Sequence, residues 1–370
     1  MSKDILIVGA GITGLALAAL LERDGSSNVT IIDNSPTFKR KGYGITIMPG
    51  GLTVIRDLQL ITKLRALGTT AENAKIIDAN GVIRNTIGLG SVGIDSVTLN
   101  RSDLHALLAS RLKKSHVKLS TTVKTLRSQS HSVRVTFSDT KTATFDLVVG
   151  TDGVNSIVRS LIFPTYAAHK VGAAIWSMIL PKNYRLKEPK SVLSVWGSKR
   201  FMGIFPIHKG GAVAFGMPYD SKKRPSELDV RAAFSDLSPL AHDILADTRN
   251  VDIYSSHLRQ IKLKHWYKSN VVLAGDAAHT MMPATGMGAS IGLQDAKALA
   301  DLIIATPIDQ LNNVPGLYEA RRKKITEKIQ KEAFMVGKMM LTNKVGSRIR
   351  DFLINKIPSH VITRKFKNSH

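Results

Sequence analysis

The chain has 370 residues, is 43% hydrophobic, carries a formal charge of +24 and contains no cysteine. At roughly 100 to 200 residues per domain, the length fits two or three domains. The missing cysteines exclude a disulfide framework, cysteine zinc sites, thiol nucleophiles and redox-active cysteine pairs together, and the charge raises the question of a polyanionic partner.

The N-terminus opens directly on an apolar run, Asp4-Ile5-Leu6-Ile7-Val8, without a basic leader or a small-residue cleavage site, so the protein reads as cytoplasmic. The run leads into Gly9-Ala10-Gly11-Ile12-Thr13-Gly14 and an alanine- and leucine-rich helix from about Leu15 to Arg23, with Gly25 as its C-cap. A second strand, Val29-Thr30-Ile31-Ile32, ends at Asp33, nineteen positions after Gly14. In this pattern Gly9 permits the tight turn, Gly11 lets backbone approach a pyrophosphate and Gly14 allows close helix–strand packing. The helix N-terminus offers free N–H groups to phosphate, and the acid accepts from an unphosphorylated ribose, as in FAD or NAD. The pattern Gly88-Leu89-Gly90-Ser91-Val92-Gly93 matches equally well, but the β-like run Ile94 to Leu99 follows it, so it reads as a loop or hairpin.

Leu99-Asn100-Arg101-Ser102-Asp103-Leu104 opens a helix. Further on, Phe145-Asp146-Leu147-Val148-Val149-Gly150 is a strand that runs into Thr151-Asp152-Gly153-Val154-Asn155-Ser156 and then Arg159. A third strand, Asn270 to Ala274, precedes Gly275-Asp276-Ala277-Ala278-His279-Thr280-Met281-Met282-Pro283-Ala284-Thr285-Gly286-Met287-Gly288. His279 lies three positions after Asp276, but no further histidine or acid completes a ligand set, so no metal site is expected and His279 reads as an orienting residue.

Taken in this order, the motifs resemble those of the class A flavoprotein monooxygenases, the family founded on para-hydroxybenzoate hydroxylase, over about residues 1 to 340. The resemblance implies an α/β fold, with a Rossmann-like FAD domain of the glutathione-reductase type and an inserted, mostly antiparallel substrate sheet. It also implies an NADPH- or NADH-consuming enzyme that hydroxylates an aromatic or polycyclic small molecule with dioxygen, through a flavin C4a-hydroperoxide. A xenobiotic or tetracycline-type antibiotic is one such substrate. No second dinucleotide fingerprint is present, which suits relatives that bind the nicotinamide transiently over the FAD domain. By the same resemblance Gly9, Gly11, Ile12, Thr13, Gly14 and Asp33 hold the ADP half of FAD, and Arg101, Asp152 and Gly153 reach the cofactor. Asp276 accepts from the ribityl chain, and Pro283, Gly286, Met287, Gly288 and Ala289 face the flavin ring. Thr285 falls in a slot that touches substrate, and Ser290 stands where the family usually has asparagine.

The FAD domain is expected over residues 1–70, 100–165 and 260–310, and the substrate domain over 71–99 and 166–259. The latter has β-like alternation, as in Lys190 to Trp196 and Gly211 to Gly216. Arg200 is the expected substrate contact, as an anion or phenolate partner, with Phe201, Phe205, Met217 and Trp176 as further candidates and His208 as a turn residue. In the region 311–370, apolar Leu317, Ile325, Ile329, Phe334 and Val336 interleave with charge, so helices are expected there. Fourteen Lys/Arg against four Asp/Glu from Leu317 onward give this tail +10 of the +24. The run Arg321-Arg322-Lys323-Lys324 reads as a solvated face, with peripheral contact to an anionic membrane as the sharper alternative. No nucleic-acid motif accompanies the charge, so no nucleic-acid partner is expected, and a monomer or homodimer is. Competing readings are a halogenase, a geranylgeranyl-type reductase and a basic polyanion- or membrane-binding protein. The halogenase tryptophan signature is missing around Trp176, Trp196 and Trp266.

Overall fold

The computed structural model of the protein describes residues 2–38, 42–90, 93–166, 168–248 and 251–356. Ser91 and Val92 of the second glycine pattern and the last fourteen residues of the C-terminal region therefore lie outside the described residues.

Strand β1 (Lys3–Val8) is buried at every position but Asp4, as a strand covered on both faces must be. It connects through helix α1 (Ile12–Asp24) to the parallel strand β2 (Ser27–Ile32). α1 ends where Gly25 takes φ 81°, and its backbone N–H closes the last turn on Leu21. On its other side β1 pairs in parallel with Leu147–Gly150, which pairs in parallel with Val271–Leu273. These strands form the middle of a six-stranded sheet. Helix Gly288–Ala305 packs on α1, and the contact is close because Gly292 leaves room for the hydroxyl of Thr13. The main core lies between these elements. A three-stranded antiparallel meander, Val123–Phe145, extends this unit.

The second large element is a seven-stranded sheet that is antiparallel at every pairing but one. It takes strands Asn73–Asp78 and Ile83–Gly88 from one chain segment and five strands between His169 and Gln260 from another. Strand alternation gives it two different faces. Trp176, Met202, Ile204, Val213 and Phe215 point to one side, where Phe234 and Ile244 from helices Val230–Phe234 and Pro239–Asp247 cover them. Their neighbours in sequence, among them Ile175, Gly203, Phe205, Ala212 and Ala214, point to the opposite side. That side meets strand Gly44–Ile47, where Gly44 is required because a Cβ would lie 2.5 Å from that of Ala212.

After the glycines at 88 to 93, the chain enters strand Val97–Asn100 rather than a helix, in keeping with a connecting loop. The tail forms helices Val314–Met340 and Lys344–Lys356. Among the described residues no helix is long and apolar enough to cross a membrane.

Candidate functional site

The glycine loop after β1 is held from both sides. Gly9 adopts φ 108° and its backbone lies so near Thr151 and Asp152 that a Cβ would come within 2.7 Å of both. Gly14 faces the carbonyl of Gly9 just as closely, so both glycines are demanded by protein packing alone. Gly11 differs, because its Cβ would meet nothing nearer than the Thr151 carbonyl at 3.9 Å. It caps α1 without a side-chain acceptor, which leaves the first N–H groups of the helix facing that space. Asp33, at the end of β2, accepts from the backbone N–H of Ala10 at 2.8 Å and so ties its carboxylate to the loop.

Asp152 follows strand Leu147–Gly150. One of its carboxylate oxygens accepts from the N–H groups of Ile157 and Val158, while the other is buried without a hydrogen-bond partner among the described residues. Burial raises its carboxyl above the ordinary range, against the pull of Ser156 and of backbone N–H groups. Gly153, at φ 78°, faces open space.

The turn at Gly275–His279 has two sides. Asp276 is exposed to solvent, yet protein surrounds it closely enough that burial raises its carboxyl, with His279 and Arg101 pulling the other way. A carboxylate that is both exposed and crowded by protein sits in a concave part of the surface. Beyond it Pro283–Thr285 forms a single 3-10 turn that closes on Gly286 at φ 67°, and helix Gly288–Ala305 begins. Gly288 has nothing within 4 Å of where a Cβ would stand, and the Thr285 hydroxyl is buried with no partner among the described residues.

Across this cleft lie Arg101 and Tyr43. Arg101 opens helix Arg101–Ala109, as expected from Leu99–Leu104, and its N–H donates to the Tyr43 carbonyl at 2.9 Å. Its guanidinium sits 5.5 Å from the Tyr43 ring centroid, and Tyr43 stacks on Tyr254 of the seven-stranded sheet at 5.3 Å. Burial raises the Tyr43 phenol, with Arg101 opposing. Open glycines, an orphaned Asp152 oxygen, an unpartnered Thr285 hydroxyl and an uncovered Asp276 together describe space kept for a ligand. The donor set suits a dinucleotide that carries a phosphate pair and hydroxyl groups.

Several sequence expectations are corrected here. Arg200 is not free to meet an anion: its guanidinium pairs with both carboxylate oxygens of Asp236 at 2.5 and 3.0 Å and donates to the Ala233 carbonyl, on the helix-covered side of the sheet. Trp176 is core on that same side, with its indole N–H donating to Pro225, and Met217 packs there too. Phe201 is buried with Trp196, Met340 and Ile354 near the C-terminal helices. Phe205 is the candidate that faces strand Gly44–Ile47. His208 is an exposed residue of the two-residue hairpin turn, as expected.

Ser290 has a packing reason. Its hydroxyl accepts from Met48 at 2.9 Å, and the backbone of Gly51 packs against it, so a larger side chain would push away helix Pro49–Asp57.

The sequence reading quoted Arg159 without giving it a role, missed Asp295 and Gln330, and placed Arg322 on a solvated face, whereas Arg322 is buried against Asp295. Arg159 is buried and donates to the carbonyls of Ala277 and Val154, joining the Asp152 and Asp276 turns. Behind the Asp276 turn, Asp295 is fully buried and accepts from Gly275 N–H at 3.1 Å, His279 Nε2 at 2.5 Å and Arg322 Nε at 2.9 Å. Burial opposes its charge, but His279 and Arg322 outweigh that and hold its carboxyl below the ordinary range. Gln330 donates to the carbonyls of Ile261, His279 and Thr280. The orienting role expected of His279 is thus given a partner, Asp295.

A family model described as "FAD binding domain" matches residues 2–333. The chain is 26% identical over 367 residues to 2-heptyl-3-hydroxy-4(1H)-quinolone synthase of Pseudomonas aeruginosa, covering 96% of this chain and 94% of that one. It is 30% identical over 315 residues to 3-amino-4-hydroxybenzoate 2-monooxygenase of Streptomyces cremeus, covering 82% and 79%. Among solved structures it resembles Klebsiella pneumoniae HpxO complexed with FAD and uric acid, with a TM-score of 0.88 at 18% identity over 99% of this chain and 96% of the other. With the family pattern along nine-tenths of its length, this chain belongs to the FAD-binding family of FAD-dependent monooxygenases.

Proposed function

We propose that the protein hydroxylates a planar aromatic or polycyclic small molecule at the expense of NADPH or NADH. The observation that carries this reading is the reserved cleft itself. Among the described residues nothing fills the space beside Gly153 and Gly288, Gly11 meets only the Thr151 carbonyl at 3.9 Å, Asp276 is exposed with Arg101 in electrostatic reach, and the sheet face of small residues and Phe205 meets the neighbouring strand at Gly44. In this reading Gly9, Gly11, Ile12, Thr13 and Gly14 hold the pyrophosphate, and Asp33 holds the adenosine ribose. Arg101, Asp152, Gly153 and Asp276 hold the middle of FAD. Backbone from Pro283 to Ala289 lies against the ring, and Thr285 lies beside the substrate.

Bound FAD supplies the redox chemistry, passing electrons from the reduced nicotinamide to dioxygen, of which one atom enters the substrate and the other leaves as water. The chain supplies position and environment. N–H groups at the start of helix Gly288–Ala305 favour negative charge nearby. In this reading Phe205, Ala214 and the stacked Tyr43 and Tyr254 would shield the reacting atoms from water, which limits wasteful peroxide release. The substrate class is supported by the relatives' names, which specify a quinolone and an aminohydroxybenzoate.

The test is a purified preparation with its visible spectrum, followed by NADPH oxidation and peroxide release with a panel of quinolones, hydroxylated benzoates and nicotinates, and tetracyclines. The expected outcome is yellow protein whose NADPH oxidation rises with one ring class and yields that compound plus one oxygen by mass. NADPH use that no panel member stimulates rejects the hydroxylase reading while leaving the flavoprotein intact.

A further inference from the structure

Helix Lys344–Lys356 is turned inside out. Its sequence places Val345, Ile349, Phe352 and Leu353 at helical spacing on one stripe, and such a stripe ordinarily packs on the core. Here those four side chains are 69%, 56%, 59% and 51% exposed. The opposite side of the helix faces the protein with Ser347, Arg350 and Ile354. The cause is Arg350, whose guanidinium donates to the carbonyls of Trp196, Gly197 and Met339, lies 5.5 Å from the Trp196 ring and pairs with Asp351. These bonds fix which way the helix faces and leave its apolar stripe outward. Beneath the helix lies a cavity of about 420 Å³, in which Arg84 and Arg350 are held by Asp78, Asp351 and carbonyl oxygens, while Arg348 at its edge is exposed.

We propose that this stripe is a docking surface for an anionic lipid bilayer, on which the helix lies in the interfacial plane. Charge complementarity selects this occupant. Lys344, Arg348 and Lys356 flank the stripe and are exposed, with the Lys356 ammonium 4.5 Å over the Phe352 ring. The solvent side of the preceding helix repeats the combination, since Leu317, Ile325, Met335 and Met339 are exposed among Arg321, Lys324, Lys328 and Lys331. A second copy of a chain carrying +24 would bring like charge onto like charge. A nucleic acid would answer the lysines but offers no apolar phase for Phe352 and Ile349. Apolar side chains ringed by lysine and arginine on one helix face are what an acidic membrane surface accepts.

The test is partition of the FAD-loaded protein onto sedimented vesicles, either phosphatidylcholine alone or equal parts phosphatidylcholine and phosphatidylglycerol. Strong binding to the anionic vesicles, little to the neutral ones, and a loss of about tenfold or more in Ile349→Ser/Phe352→Ser are expected, with flavin content and melting temperature unchanged. Val345→Ser/Leu353→Ser supplies an independent second variant, and Lys344→Glu/Arg348→Glu should weaken binding and flatten its salt dependence. No partition at low salt overturns the proposal. So does partition that both serine variants leave unaltered, which marks simple polycation adsorption, and so does a dimer in sedimentation velocity that the serine variants dissolve.

Discussion

Asp276 and Asp295 stand on two sides of one turn and are used in opposite ways. Asp295 is sealed from solvent and receives three hydrogen bonds from its own chain, and, despite burial, those from His279 and Arg322 hold its carboxyl below the ordinary range. Asp276 is exposed, and burial by the surrounding protein raises its carboxyl against the pull of His279 and Arg101, with no hydrogen bond to its carboxylate among the described residues. A carboxylate whose partners are all in place holds the fold. One that is crowded but unanswered waits for something the chain itself does not contain.

Removing the sealed member should do the most damage to stability. Asp295→Ala leaves Arg322 buried without its counter-charge, beside an Nη2 that already has no partner among the described residues. Breaking such a pair costs about 3 to 5 kcal/mol, measurable by denaturant unfolding. The sign with pH follows from the depressed carboxyl. The stabilisation is fully present above the unfolded-state value of about 3.9 and is lost as pH falls through the lower folded value. The stability gap between wild type and variant should therefore be flat near neutrality and narrow in acid; a gap that widens in acid contradicts the assignment.

The glycines extend the same contrast. Gly14→Ala drives a methyl into the Gly9 carbonyl and should destabilise the protein by about 1 to 3 kcal/mol with or without FAD. Gly288→Ala meets no protein atom, so thermal stability of the apoprotein should not fall. Its FAD affinity should drop by about tenfold, because the methyl enters the reserved space. Equal effects of the two substitutions on apoprotein stability would erase the distinction between protein-packed and ligand-facing glycines.

Much of this was readable from local pattern, and the rest was not, for a reason of distance. Gly9 to Asp33 is one continuous βαβ stretch, so the requirements of turn, helix and acid all fall within one window. Arg159 finds its carbonyl on Ala277, and Asp295 finds Arg322 along a separate helix, and no local spacing announces either pair. Helical periodicity likewise shows that residues 344 to 356 form a helix with an apolar stripe. It cannot show that Arg350 turns that stripe outward, because the carbonyls that capture Arg350 belong to Trp196 and Gly197.

The open member of the pair predicts a ligand effect in place of a stability effect. Asp276→Ala should weaken FAD retention by about 1 to 3 kcal/mol, through loss of an acceptor for a buried hydroxyl, as read by flavin titration. Apoprotein stability should stay level or rise slightly, because the charge removed is one the fold disfavours. Unchanged FAD affinity rejects the ribityl assignment.

Arg200 carries the smallest expected effect, and the most exact one. Arg200 immediately precedes strand Phe201–Ile207, and its bonds to Ala233 and Asp236 place its side chain on the side covered by helix Val230–Phe234. There it holds Asp236 below the ordinary carboxylate range through a direct hydrogen bond at the rim of the molecule. An exposed pair of this kind is worth about 0 to 1 kcal/mol. Arg200→Ala should therefore cost that much stability and, if the proposed reaction holds, leave the KM for its substrate and the coupling of nicotinamide use to hydroxylation unchanged. If KM rises without a matching loss of stability, Arg200 reaches the cleft after all, and the division of the sheet into a helix-covered face and a substrate face fails with it.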